Sequence, residues 1–116
     1  MTPEGRIKEL VKRLLDRYGD DAYREMPVPG GFGKSGLDFT ICFFGHFIAV
    51  ETKAPGKKPT GRQELRIREI ERAGGAVFVV DGHTTLIPLE KHLERIALCH
   101  RRKNTQQAHR ENIQSS

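Results

Sequence analysis

Asp38 and Glu51 are separated by twelve residues, most of them apolar, and Lys53 follows Glu51 after a single threonine. Two carboxylates brought within a few ångströms of each other repel unless something positive lies between them, and a hard divalent cation with oxygen ligands is the usual solution. Magnesium fits such a site, with manganese as a substitute. An ion held by Asp38, Glu51 and the main-chain carbonyl of Thr52 keeps positions open for water and a phosphate oxygen, while Lys53 can position that water or offset transition-state charge. In outline the chemistry is phosphodiester hydrolysis. The plainer reading of the same residues is a set of strand-end charges pairing at the surface, and a D…E-x-K string alone does not exclude it.

The elements around these residues decide whether they meet. Asp38 to Phe44 and Phe47 to Lys53 are apolar runs flanking Gly45-His46, which predicts a hairpin. With Gly45-His46 as a two-residue turn, Phe44 faces Phe47, Asp38 faces Lys53, and Glu51 is the diagonal neighbour of Asp38 on one face. That face also carries Thr40, Cys42 and Ala49, whereas Phe39, Ile41, Phe43, Ile48 and Val50 lie on the other and must be buried. A loop one residue longer would send Asp38 and Glu51 to opposite faces.

Before the hairpin, the spacing predicts a helix from Pro3 to Tyr18, with Thr2 as its N-cap and Gly19 as its stop, and then an irregular MPVPGGFGKSG segment. After it, a helix from Thr60 to Ala73, a buried strand Ala76–Val80 and a helix from Pro88 to His100 are expected. The order is helix, hairpin, helix, strand, helix, which gives a small α/β sheet flanked by helices in one domain over residues 1–100. Residues 101–116 lose apolar content and read as a basic tail, frayed or disordered.

SGLD, an apolar strand, VETKAPGKKPTGRQ, a helix, Gly74-Gly75 and AVFVV together resemble the PD-(D/E)xK nuclease superfamily, most closely its VRR-NUC branch of virus-type replication and repair nucleases. The resemblance runs from about Pro3 to Asp81. It implies a restriction-endonuclease-like core in which Asp38 and Glu51 bind metal, Lys53 is catalytic, and Gln63 orients the water or the metal site. A Glu on the first helix completes the family's site; Glu4 continues the inward stripe through Ile7 and Val11, whereas Glu9 does not. This chain has Leu37 where the family usually has Pro. The activity implied is that of a metal-dependent DNA endonuclease of the phage type, acting in repair or recombination on branched DNA such as Holliday junctions or flaps, as a homodimer.

Gln63 also fits a capping box with Thr60, and Glu4 also suits a helix N-terminus on dipole grounds. The net charge is +5, and its concentration between Lys53 and Arg72 makes Lys57, Lys58, Arg62 and Arg66 candidates for DNA backbone contact, joined by Lys34 in the glycine-rich loop. Gly33-Lys34-Ser35 is not a phosphate loop, because Val28 stands where its first glycine belongs and a strand follows it; no nucleotide cofactor is expected. Five scattered histidines give no zinc site, and Cys42 and Cys99 are expected as buried small apolar residues. No apolar run approaches the ~20 residues that span a bilayer, so a cytoplasmic protein is expected. The rival readings are a nucleic-acid-binding module that keeps the fold without turnover, and a chain that acts on RNA or within a larger complex.

Overall fold

The structure, a computed structural model, describes residues 1–27 and 36–115. Helix α1 (Pro3–Asp16) starts as the sequence predicts: Thr2 is extended, its hydroxyl accepts the Gly5 amide at 3.0 Å, and Pro3 opens the first turn. One stripe of it, Ile7, Val11, Leu14 and Leu15, is buried. It ends two residues before the predicted Tyr18, and the chain turns into Gly19 at φ +54°.

A short strand β1 (Ala22–Glu25) follows, where none was expected. Its four residues carry a single buried side chain, Ala22, too little alternation to be legible. Pairing supplies what pattern lacks: β1 runs antiparallel to β2 (Phe39–Phe43), and Arg24 ties it to α1 through Asp16 (2.8 Å) and the Lys12 carbonyl (3.2 Å).

The hairpin of β2 with β3 (His46–Thr52) is present, with its turn one residue earlier than predicted. The turn residues are Phe44 and Gly45 rather than Gly45 and His46, and both have positive φ, 48° and 82°, the signature of a type I′ turn. Phe44 is held in that unfavourable region by its ring, which stacks on His100 at 3.9 Å and leans on Phe43 at 4.7 Å. Moving a two-residue turn by one position shifts the pairing by two, an even number, so no side chain changes face. Phe39 pairs with Val50, and continuing that register sets Asp38 opposite Glu51 instead of Lys53.

Helix α2 (Gly61–Arg72) crosses from β3 to β4 (Ala76–Val80), which pairs parallel to β3 and completes a mixed sheet of order β1-β2-β3-β4. On one face Phe39, Ile41, Phe43, Ile48, Val50 and Val80 are fully buried against α1 and the last helix. Each such side chain removed from water contributes about 1.5–3 kcal/mol, so this face carries most of the stability. The other face is covered by α2, which has no fully buried side chain. There Gly75 admits close approach: a Cβ would meet Ile70 at 2.7 Å and Phe47 at 2.9 Å. Cys42 and Cys99 are exposed, contrary to expectation, because Cys42 lies on the part of the sheet beyond α2 and Cys99 on the outer side of the last helix.

Helix α3 (His83–Ser115) corrects the sequence reading at both ends. It begins five residues before Pro88, where the Thr85 hydroxyl accepts the amides of Asp81 (2.8 Å) and Gly82 (3.1 Å) and bonds the Asp81 carboxylate at 2.8 Å. Pro88 sits inside the helix at the cost of one main-chain bond. The tail expected to be frayed continues as helix, with local bonds such as Thr105 to the Arg101 carbonyl (2.9 Å) and Gln107 to Glu111 (3.1 Å). This projection accounts for dimensions of 58 × 28 × 22 Å. Among the described residues no helix is long and apolar enough to cross a membrane.

Candidate functional site

At the end of the sheet where β2 begins and β3 finishes, the register brings Asp38 and Glu51 together, and the first turn of α1 adds Glu4. Carboxylate oxygens of Glu4, Asp38 and Glu51 all lie within 4.8 Å of one another. Asp38 reaches across to β3, where one of its oxygens accepts both the Thr52 amide (2.8 Å) and the Thr52 hydroxyl (2.6 Å). Its other oxygen lies 3.6 Å from Lys8 Nζ, one helical turn beyond Glu4.

The two central acids titrate in opposite directions. Burial pushes Glu51 up, its hydrogen bond with Asp38 and the charges of Asp38 and Glu4 push it further, and Lys53 only partly opposes them; its pKa is raised from 4.5 to about 8. Burial acts on Asp38 in the same sense, but the two bonds from Thr52, the bond with Glu51 and the charge of Lys8 outweigh it and hold Asp38 below the usual carboxylate range. Glu51 is 2% exposed, and its Oε2 has no hydrogen-bond partner. A buried carboxyl oxygen left unsatisfied beside two more carboxylates is costly unless a cation takes the place of the proton. An all-oxygen donor set suits a hard divalent ion such as magnesium rather than zinc.

Around this centre the expected residues divide. Glu4, Asp38 and Glu51 are brought together, and Lys53 is half-buried within electrostatic reach of Glu51. Thr52 also belongs to the site, but its visible role is to donate twice to Asp38, which sequence reasoning had not assigned. Gln63 is engaged elsewhere: its Oε1 accepts the Thr60 amide at 2.9 Å while Thr60 Oγ accepts the Gln63 amide at 3.3 Å, a complete capping box. Lys57, Lys58 and Arg62 are exposed, whereas Arg66 is turned along α2 to Glu69 at 2.8 Å, leaving its Nε buried without a partner. Lys34, with the rest of GKS, lies outside the described residues.

Lys8 was missed. The signal was its position four residues after Glu4, which places both on one side of α1. A cleft of about 580 Å³, lined among others by Arg17, Tyr18, Phe44 and His100, lies at the opposite, hairpin end of the sheet and contains none of these acids. Glu4 and Asp38 are partly exposed at their end of the sheet, whereas Glu51 is buried. No family model matches this sequence, and no curated protein matches it.

Proposed function

We propose that the chain is a metal-dependent deoxyribonuclease that hydrolyses phosphodiester bonds, with magnesium as its ion and branched DNA as its substrate. The observation that carries this reading is the buried, unpartnered Glu51 oxygen inside a cluster of three carboxylates, with Lys53 alongside. The resemblance to VRR-NUC nucleases assigns the same residues the same roles. Magnesium, when bound, makes a coordinated water more acidic and draws charge from a phosphate oxygen.

The side chains have separable tasks. Asp38, ionised and fixed by Thr52, would hold the cation through its oxygen nearer Lys8, with Glu4, Glu51 in its ionised form and the Thr52 carbonyl as the other ligands. Lys53 offers a positive charge where the attacking water and the phosphate meet. Lys57, Lys58 and Arg62 face solvent and can follow the sugar-phosphate backbone; Arg66 joins them on leaving Glu69. Gln63 acts on the water only after releasing the Thr60 amide. A second copy belongs to this reading, since two strands of a junction need two sites. The surface available to it includes Tyr23, Cys42 and Phe47, exposed across neighbouring strands. The setting proposed is the cytoplasm, that of the host cell for a phage-encoded chain.

The test is cleavage of end-labelled duplex, flap and four-way-junction DNA by the purified protein with magnesium, manganese or EDTA. Metal-dependent products, most abundant from the branched DNAs, are expected. Band shifts without cutting in either metal overturn the nuclease reading in favour of a binding module, and cutting confined to RNA versions of the panel overturns the choice of DNA.

A further inference from the structure

The side of α3 turned away from the core carries Lys91, Arg95, Arg102 and His109, at spacings of four, seven and seven residues, flanked by Lys103 and Arg110. Helical geometry aligns Lys91, Arg95, Arg102 and His109 in one stripe opposite the buried Leu89, Leu93, Ile96 and Ala97, with Lys103 and Arg110 about a quarter turn to one side. All six are exposed, and among the described residues none has a carboxylate within ion-pair distance. The acids of α3 lie off this stripe; Glu90 pairs with Arg17 of α1 at 3.7 Å. The stripe adjoins a cleft of about 380 Å³ lined by His46, His92, Arg95, Ile96, Cys99 and Lys103, with no acid among its walls.

We infer that this stripe is a docking surface for the sugar-phosphate backbone of double-stranded DNA, distinct from the basic loop beside the carboxylates. From Lys91 to Arg110 the helix rises ~29 Å, close to one turn of duplex, so successive cations meet successive phosphates along a groove edge. The chemistry excludes the competing occupants. From residue 101 to 113 the only apolar side chains are Ala108 and Ile113, too few for a helix lying in a lipid interface or for the apolar seam of a coiled coil with a second copy. A polar helix standing in solvent is marginal by itself, and neutralising its like charges on a polyanion stabilises it. The choice of DNA rests on the nuclease reading; the contact itself does not require turnover.

The experiment is fluorescence anisotropy of a labelled duplex longer than the stripe, with the full chain in EDTA, across about 50–200 mM salt. Lys91→Gln, Arg95→Gln, Arg102→Gln and Arg110→Gln are combined in one variant, whose helicity is checked by circular dichroism, and a companion variant carries Lys at the three arginine positions. The four-fold neutralised protein is expected to bind at least on the order of tenfold more weakly, with a salt slope shallower by about 3.6, while the lysine companion keeps the native slope. Unchanged affinity and slope overturn the inference, as does a native mass of two chains that the variant reduces to one without weakening DNA binding. Binding lost with the stripe, in a protein that cuts no DNA with either metal, sinks the nuclease reading and leaves this one standing. Cutting with an unaltered anisotropy curve does the reverse.

Discussion

At one end of the sheet three carboxylates are drawn within 4.8 Å of one another, one of them 2% exposed; at the other end residues 101–113 of α3 stand in solvent carrying Arg101, Arg102, Lys103 and Arg110 against the single acid Glu111. Both regions crowd groups of one sign and offset them only in part: Lys8 and Lys53 beside the acids, Glu111 among the cations. In the first the penalty is internal, because burial and the neighbouring carboxylates favour the protonated form of Glu51. In the second, water and salt screen the repulsion, so nothing in the fold has to bear it. A buried cluster of this kind suits a small cation, whereas a solvated stripe suits an extended polyanion.

The largest effect that separates the two ends is on turnover. Asp38→Asn and Glu51→Gln each remove a charge from the proposed metal site, and on the nuclease reading metal-dependent cleavage is expected to fall on the order of 10³-fold or more, with DNA binding in EDTA unchanged or tighter. Parallel losses of cutting and binding would break the comparison, since they would make the acids structural. Cleavage assays alongside anisotropy read both quantities.

The next effect is on stability against pH. Glu51 ionises at 4.5 in the unfolded chain and at about 8 in the fold, so between those values the native state binds a proton that the unfolded state does not. Its contribution is fully present below about 4.5 and is lost as pH rises toward 8, by at most about 1.4 kcal/mol per unit. Asp38 works the other way: its depressed value gives stability present above 3.8 and lost in stronger acid. Urea titrations of the metal-free protein are expected to show stability declining from pH 5 to 8 and that decline vanishing in Glu51→Gln. If the proposed site takes magnesium, added magnesium is expected to reverse the trend, because binding requires the ionised carboxylate. A flat profile in the native protein would mean that Glu51 is neither buried nor crowded.

Thr52→Val comes third. It keeps the shape but removes the 2.6 Å hydroxyl bond to Asp38 and leaves the main-chain donor in place. A loss of about 1–3 kcal/mol is expected in chemical denaturation, together with a rise in the Asp38 pKa visible by carboxyl NMR. Thr52→Ser, which retains the bond, should keep the pKa while losing a methyl group's worth of packing.

The residues that could be read in advance are those where two independent constraints coincide. Phe39, Ile41, Phe43, Ile48 and Val50 alternate with small or polar neighbours, and all five are buried; Thr2 with Pro3 and Thr60 with Gln63 announced the starts of α1 and α2. The turn was misplaced because Gly45-His46 carries the composition of a turn, while Phe44 is stabilised in its positive-φ conformation by His100, a contact fifty-six residues away in sequence. β1 was invisible because four residues paired to a neighbour need no hydrophobic pattern of their own. At the site, type and spacing suggested Asp38 and Glu51 and the family resemblance added Glu4, but Lys8 and the two donors of Thr52 act across the gap between α1, β2 and β3, which spacing along one chain does not measure.

Gln63 gives the smallest effect and the finest test. Its side chain closes a capping box at an exposed helix start, so Gln63→Ala removes one bond to the Thr60 amide while the reciprocal Thr60 cap survives. The expected cost is about 0.5 kcal/mol, at the edge of detection in a thermal melt. Gln63→Glu keeps an acceptor for that amide and should melt with the native protein. If capping is all that Gln63 does, both variants cleave DNA at the native rate. If the side chain leaves the cap to orient water during turnover, Gln63→Ala loses far more rate than stability, and Gln63→Glu, with its cap intact, changes the magnesium concentration needed for half-maximal cutting. The two measurements disagree only when the residue serves both the helix and the metal, so a shift in metal dependence without a shift in melting would move Gln63 from the scaffold to the site.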